Sequence, residues 1–230
     1  TNLFKNRELT KRECIALIKK EIKLAHHLGF KVLRLVSMVP AWILEPCLPT
    51  AEKYDVCMCI EIHAGLGFGV QKTEEFLAEM VRLDSPYIGI VPDSGLFCKR
   101  PPRVMTNYCR EVYGTNPELI ALGNEIFESG TDTYTLTMKN GGKMDPRIAA
   151  LVKDPAKDMF FAVNLDGYEN NPLSVMDPYV KYIKHFHFKL FEMTEDGTEY
   201  SIDYKEILQY LYDHGYNGYV STEYEGNRWT

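Results

Sequence analysis

The chain predicts an α/β fold assembled from parallel βαβ units. Two observations carry that prediction. Short apolar, strand-like runs alternate with longer stretches of helical periodicity. Ionisable side chains also recur where those runs end. In a (β/α) barrel, functional groups gather where the strands end at their C-terminal mouth. A barrel therefore gives the scattered polar residues one address.

The elements follow in order. Residues 10–29 read as a helix: Ile15, Ile18, Ile22 and Ala25 fall at helical spacing, Thr10 and Glu13 match a capping box, and Gly29 is a stop. "KVLRLVS" at 31–37 reads as a strand and "LPTAEKYD" at 48–55 as a helix. "VCMCIEIH" at 56–63 is the next strand, 72–83 a helix, and "YIGIVPD" at 87–93 a third strand closing on Asp93. The segment 94–180 is long and mixed, and reads as an insertion or lid. It holds a helix at 117–128, a Gly/Thr-rich patch at 129–143, a helical stretch near 145–153 and an apolar run, "MFFAVNL" at 159–165, that offers a possible sixth strand. "IKHFHFKLF" is the next clear strand, Tyr204–Tyr212 a helix, "HGYNG" a turn, and "YVSTEYE" at 219–225 the last strand. There is no internal repeat and no low-complexity tract.

Composition bounds the class. At 230 residues, 45% hydrophobic and 25% charged, residues 1–230 suffice for one domain with a large core. The net charge of −6 and the lack of a basic run argue against a nucleic-acid partner, "CKRPPR" at 98–103 being short and broken by prolines. No apolar run approaches the ~20 residues that span a bilayer, so no membrane partner is expected. The six cysteines lack a zinc-finger or disulfide-scaffold spacing; they read as reduced thiols of a cytoplasmic protein.

The polar residues follow one parity. On 56–63 the odd positions are Cys57, Cys59, Glu61 and His63, and the even ones Val56, Met58, Ile60 and Ile62. Strand side chains alternate faces, so the even face suits burial beneath outer helices and the odd face lines the barrel. On "IKHFHFKLF" the odd face carries His185, His187 and Lys189 against Phe186, Phe188 and Leu190. Asp93 closes its strand, and Glu223 and Glu225 close the last. One acid at a strand end reads as a solvated turn residue or a helix cap, and His185 alone as a structural histidine. Acids or imidazoles ending four strands read as a metal site.

Acids crowded in this way repel one another and lose hydration, a conflict that a divalent cation resolves. A mostly oxygen donor set with one imidazole suits Mn²⁺ or Mg²⁺, with Co²⁺ or Zn²⁺ also compatible. Such an ion polarises a substrate carbonyl or hydroxyl pair, and His63, two residues beyond Glu61, is placed to take a proton from the adjacent carbon. His185 and Lys189 are candidate substrate contacts. Lys189 has two other readings, as charge balance or as the partner of Glu192, and Glu225 lies further into its loop. "GLGFG" at 65–69 lacks the spacing of a dinucleotide fingerprint and reads as a mouth loop. Cys57 and Cys59 read as small packing residues, and Trp42 and Phe68 as core aromatics able to stack on a ring.

The stretches "CIEIH", "GIVPD", "HFHFK" and "GYVSTEYEG" resemble the strand ends of the xylose-isomerase-like barrels, the sugar isomerase/epimerase superfamily. The resemblance covers roughly residues 30–93 and 180–226. It implies a (β/α)8 TIM barrel holding one divalent metal through Glu61, Asp93, His187 and Glu223. It also places the strand at 31–37 near the fourth of the barrel, so about three βα units are absent from this chain. "WILEPCLPTAEKYDV", "EIHAG" and "SPYIGIVPDSGLFCKRPPRV" are similar, more narrowly, to the large subunit of C-glycoside deglycosidases. That similarity implies proton abstraction and elimination on a 3-oxo-glycoside, with cleavage of the sugar–aglycone carbon–carbon bond, His63 as the proton-transferring residue and a smaller β-sandwich partner subunit. The alternatives are a sugar isomerase or epimerase, in which Glu61 and Glu223 also move protons, and a non-catalytic barrel subunit. A nuclease of the same superfamily is disfavoured by the acidic balance.

Overall fold

A computed structural model describes residues 7–36, 39–163 and 167–226 of the chain. Helix α1 (Lys11–His27) starts with the expected reciprocal cap, Thr10 Oγ1 accepting from the Glu13 N–H while Glu13 accepts from the Thr10 N–H at 2.9 Å. Gly29 then turns the chain at a φ of +84°, a conformation that glycine adopts without strain. Strand β1 (Val32–Leu35) falls within the expected run at 31–37, of which Ser37 lies outside the described residues. Helix α2 (Leu44–Tyr54) begins at Leu44 rather than Leu48, because Pro46 sits in its first turn, where no intrahelical N–H is needed. Strand β2 (Cys57–Ile62), helix α3 (Gln71–Leu83) and strand β3 (Ile88–Pro92) follow as expected.

The three strands are parallel, in the order β1–β2–β3. Strands β4 (His185–Leu190) and β5 (Tyr219–Tyr224), joined through helix α9 (Tyr204–Asp213), form a second parallel pair. Parallel bridges Ile90↔Ile183 and Asp93↔His187 set β4 beside β3. The strands thus run as one arc in chain order, the arrangement expected of repeated βαβ units. Among the described residues the arc does not close, and β1 and β5 are its outer strands. Apolar side chains stand exposed at both edges, Phe30 and Val36 at one and Tyr219 and Val220 at the other.

The two faces of the arc separate as the parity requires. Val56, Met58, Ile60 and Ile62 join Ile88, Ile90, Phe186 and Phe188 in the main core, beneath Ile22 of α1, Phe76 and Met80 of α3, and Ile207 and Leu211 of α9. Each such side chain contributes about 1.5–3 kcal/mol when fully buried. Cys57 and Cys59 lie on the opposite face with Val91 and Val32, in a separate apolar cluster. The six cysteines form no disulfide among the described residues. No helix of the described residues is long and apolar enough to cross a membrane.

Among the described residues, the segment between β3 and β4 holds five α-helices, α4 (Arg103–Tyr108), α5 (Pro117–Glu128), α6 (Thr133–Lys139), α7 (Pro146–Leu151) and α8 (Pro155–Ala162). They enclose a second core of Cys109, Leu119, Ile120, Ile126, Ile148, Phe161 and Ala162. One expectation, the possible sixth strand, is corrected here. The Gly/Thr-rich patch contains α6, started by Asp132, whose carboxylate accepts from both the N–H and the hydroxyl of Thr135. Residues 159–162 of the apolar run are helical rather than a sixth strand, because Asp154 caps the helix and Pro155 opens it; Asn164 and Leu165 lie outside the described residues. Asp158 anchors this region, accepting from the backbone N–H groups of Asn116, Lys153 and Asp154 at 2.9 Å each.

Candidate metal centre

Neighbouring strands deliver the four expected ligands to one place. Glu61 lies near the end of β2, Asp93 just past β3, His187 within β4 and Glu223 within β5. Parallel pairing sets Glu61 opposite Val91, Asp93 opposite His187 and Lys189 opposite Glu223, so all four occupy neighbouring levels of the odd face. One donor atom from each lies within 4.8 Å of all the others. His187 Nδ1 and Glu61 Oε1 are 2.7 Å apart, and Glu223 Oε2 lies 3.8 Å from the same nitrogen. A carboxylate only accepts, so Nδ1–H donates in the ion-free arrangement. A divalent ion can replace that shared proton.

Asp93 is almost fully buried. Its Oδ1 accepts from the Gly95 N–H at 2.7 Å, capping the turn at Ser94–Leu96. Its Oδ2 is buried without a hydrogen-bond donor, although Lys189 Nζ stands 3.2 Å away. Burial pushes the Asp93 carboxyl up to about 6, outweighing the Lys189 charge and the Gly95 bond. A buried, donor-poor carboxylate oxygen is stabilised by a cation, so the donor set fits a hard divalent metal. Burial also pushes Glu61 upward, but the His187 hydrogen bond and the charges of Arg34 and His187 outweigh it and hold its carboxyl below the usual range.

Lys189 is buried in the site wall, between Asp93 and Glu225, each 3.2 Å from Nζ. Burial lowers its affinity for the proton, but the surrounding carboxylates more than reverse this and hold it at about 12. Lys189 thus pairs with two carboxylates of the site. Glu192, its expected pairing partner, is paired with Arg103 instead. Glu225 meets the site through Lys189. His185 stands outside the four-ligand group, with Nε2 2.6 Å from Ser221 Oγ and its ring 5.6 Å from that of His187. Burial and the neighbouring His187 hold the His185 imidazole below its usual range.

His63 follows β2 directly, and its Nδ1 is 2.8 Å from the Ala64 carbonyl oxygen. A carbonyl cannot donate, so Nδ1 carries the proton and Nε2 is left as the basic nitrogen. Trp42 and Phe68 are not at the ligand group; Phe68 stacks on Tyr179 and Lys11 stands over the Trp42 ring.

Two residues of this region have no counterpart in the sequence reading. Arg34 of β1 donates to Glu61 Oε2, the oxygen that His187 leaves free. Its signal was available: Arg34 interrupts an apolar strand and pairs in register with Cys59, on the face of Glu61. Glu169 is buried beneath the 65–69 loop, and no local pattern points to it. With Arg34 counted, four carboxylates (Glu61, Asp93, Glu223 and Glu225) face two fixed cations (Arg34 and Lys189). Two negative charges remain, which one divalent ion neutralises.

No protein-family model matches the chain. Among curated proteins it is similar to a C-glycoside deglycosidase alpha subunit of Arthrobacter globiformis, 28% identical over 237 residues, covering 100% of this chain and 64% of that protein. A C-glycoside deglycosidase alpha subunit of Microbacterium trichothecenolyticum is 28% identical, covering 99% and 63%. A 3'-dehydrocarminate deglycosidase alpha subunit of a Microbacterium species is 27% identical, covering 97% and 66%. The chain thus spans 64% and 63% of the length of the first two relatives. Among solved structures, a D-psicose 3-epimerase of Clostridium cellulolyticum superposes with a TM-score of 0.49 at 12% identity, over 93% of this chain and 56% of that one. A sugar phosphate isomerase/epimerase of Parabacteroides distasonis superposes with a TM-score of 0.48 at 13% identity, over 97% and 61%.

Proposed function

We propose that the chain carries the metal-dependent, carbon-acid chemistry of a C-glycoside deglycosidase acting on oxidised glycosides. The observation that supports this reading most is the convergence of Glu61, Asp93, His187 and Glu223 within 4.8 Å, near a histidine whose Nδ1 is engaged by the Ala64 carbonyl. Similarity along the whole chain to proteins named C-glycoside and 3'-dehydrocarminate deglycosidase alpha subunits supports that substrate class. Glu61, Asp93, His187 and Glu223 would hold one divalent ion, with Mn²⁺ foremost. Bound there, the ion polarises adjacent substrate oxygens.

In a 3-oxo-glycoside the ketone acidifies the C2 proton. His63 Nε2 takes that proton, and the freed electron pair forms the C1–C2 double bond as the C1–aglycone bond breaks. The aglycone carbon keeps the bonding pair and takes the proton back from the His63 imidazolium, so the products are an unsaturated keto sugar and the protonated aglycone. Arg34 and Lys189 hold Glu61 and Asp93 in place by charge. His185, hydrogen-bonded to Ser221 one step below His187 on β4, would be a further substrate contact.

The rest of the reading concerns the whole molecule. The open arc is part of a (β/α)8 barrel, and the exposed apolar edges at β1 and β5 are where further βα units, about three in number, would pair. Segment 94–180 serves as a lid over the mouth. The relatives' designation as alpha subunits supports a second, smaller subunit.

The test compares His63→Asn with wild type, loaded with Mn²⁺. The expected result is normal Mn²⁺ binding with cleavage of a 3-oxo-C-glycoside reduced about 10²- to 10⁴-fold, the usual contribution of a general base. Turnover of a free ketose but not of the 3-oxo-glycoside would instead support the epimerase reading.

A further inference from the structure

We infer that Glu169, contributed by the segment between β3 and β4, is a positioning residue that clamps the loop carrying His63 against the loop that follows Asp93. This rests on the reading of His63 as the acid/base residue. The backbone of Glu169 is stitched to the second of these loops: its N–H donates to Gly95 O, and its carbonyl accepts from the Cys98 N–H, both at 2.8 Å. Its side chain reaches the first. Oε1 accepts from the Gly65 N–H at 2.8 Å, and Oε2 from Asn171 Nδ2 at 2.7 Å.

The glycine loop at 65–69 is shaped around this carboxylate. A Cβ on Gly67 would stand 2.5 Å from Glu169 Oε2 and 2.8 Å from Leu96 Cδ2, so only glycine allows the close approach. Gly65 itself turns at a φ of +86°. The Gly65 N–H lies two residues beyond His63, and the backbone between them supplies the Ala64 carbonyl that fixes the His63 tautomer. Holding Gly65 therefore holds the proton on Nδ1 and leaves Nε2 basic.

The clamp also responds to pH. Burial pushes the Glu169 carboxyl up to about 7, above the usual carboxylate range, against the lowering effect of the Gly65 and Asn171 bonds. Asp132 at the start of α6 adds a second negative charge, and Tyr134 and Cys98 are the other titratable groups facing it. Ionised, Glu169 accepts from both donors. Protonated, it becomes a donor at one oxygen and loses one of the two bonds.

The experiment follows the Gly65 amide and the His63 ring nitrogens by nuclear magnetic resonance on ¹⁵N-labelled, metal-free protein, for wild type, Glu169→Gln and Glu169→Ala, with Mn²⁺ affinity measured separately. In wild type the Gly65 amide shift should titrate with a midpoint near 7, and in Glu169→Gln it should be flat. Glu169→Ala should expose the Gly65 amide, raising its hydrogen exchange roughly 10- to 100-fold, the loss of one bond to a charged acceptor, and should mix the His63 tautomers. Glu169→Gln, which keeps an acceptor, should restore the Nδ1–H form. Mn²⁺ affinity should stay within about twofold of wild type in Glu169→Gln, since no metal ligand touches Glu169. A titration that persists in Glu169→Gln, or an unaltered His63 tautomer in Glu169→Ala, overturns the inference, as does a tenfold loss of Mn²⁺ affinity in Glu169→Gln. If Glu169→Ala does not fold, the Glu169→Gln titration decides alone. A wild type that binds no Mn²⁺ would defeat the metal-centre reading and leave the Gly65 result standing.

Discussion

Replacing Asp93 with Asn should stabilise the metal-free protein at pH 8 and remove its response to Mn²⁺. Asp93 is 1% exposed, and its carboxyl is pushed from 3.8 to about 6. At about 1.36 kcal/mol per pKa unit, keeping it ionised costs on the order of 3 kcal/mol. The sign follows from linkage: the folded pKa lies above the unfolded one, so the cost is fully present above pH 6 and falls away as the pH drops toward 4. Asparagine keeps the oxygen that accepts from Gly95 but leaves buried Lys189 with Glu225 as its carboxylate partner, a loss that offsets much of the relief, so the net gain expected is on the order of 1 kcal/mol. In the wild type, Mn²⁺ at a hundred times its dissociation constant should add about 2.7 kcal/mol. Chemical denaturation at pH 8, with and without Mn²⁺, reads both effects. A less stable Asp93→Asn protein that gains as much from Mn²⁺ as the wild type does would refute this account of the site.

Two further predictions concern neighbours of the ligands. Arg34→Met should shift the pH midpoint of Mn²⁺ binding upward, because the cation that helps hold the Glu61 carboxyl down is lost and protons compete at higher pH; calorimetric titrations between pH 5 and 8 measure it. Gly67→Ala should destabilise the fold by about 1–3 kcal/mol through overpacking against Glu169 and Leu96. A thermal melt within error of wild type would show that the loop relaxes freely.

The parts of the fold legible in the sequence were those governed by short-range periodicity. The alternation in "VCMCIEIH" and "IKHFHFKLF" assigned β2 and β4 and sorted their residues onto the core and site faces now seen. The odd-face parity pointed to a polar site, and the family resemblance picked out Glu61, Asp93, His187 and Glu223 within it; parallel pairing brings these four together. What escaped depended on contacts distant in sequence. Arg34 acquires its role from a residue 27 positions away, and Glu169 from one 104 positions away. "MFFAVNL" carries no period, since a continuous apolar run fits a strand or a buried helix end equally. Only the Asp154–Pro155 start, four residues upstream, marked residues 159–162 as helical.

The central claim is that four side chains from four strands share one ion. Mn²⁺ stoichiometry measured by equilibrium titration with electron paramagnetic resonance detection tests it most directly. The account predicts one tightly bound ion per wild-type chain and loss of that site in Glu61→Gln. Full occupancy in the variant, or none in the wild type, would contradict it.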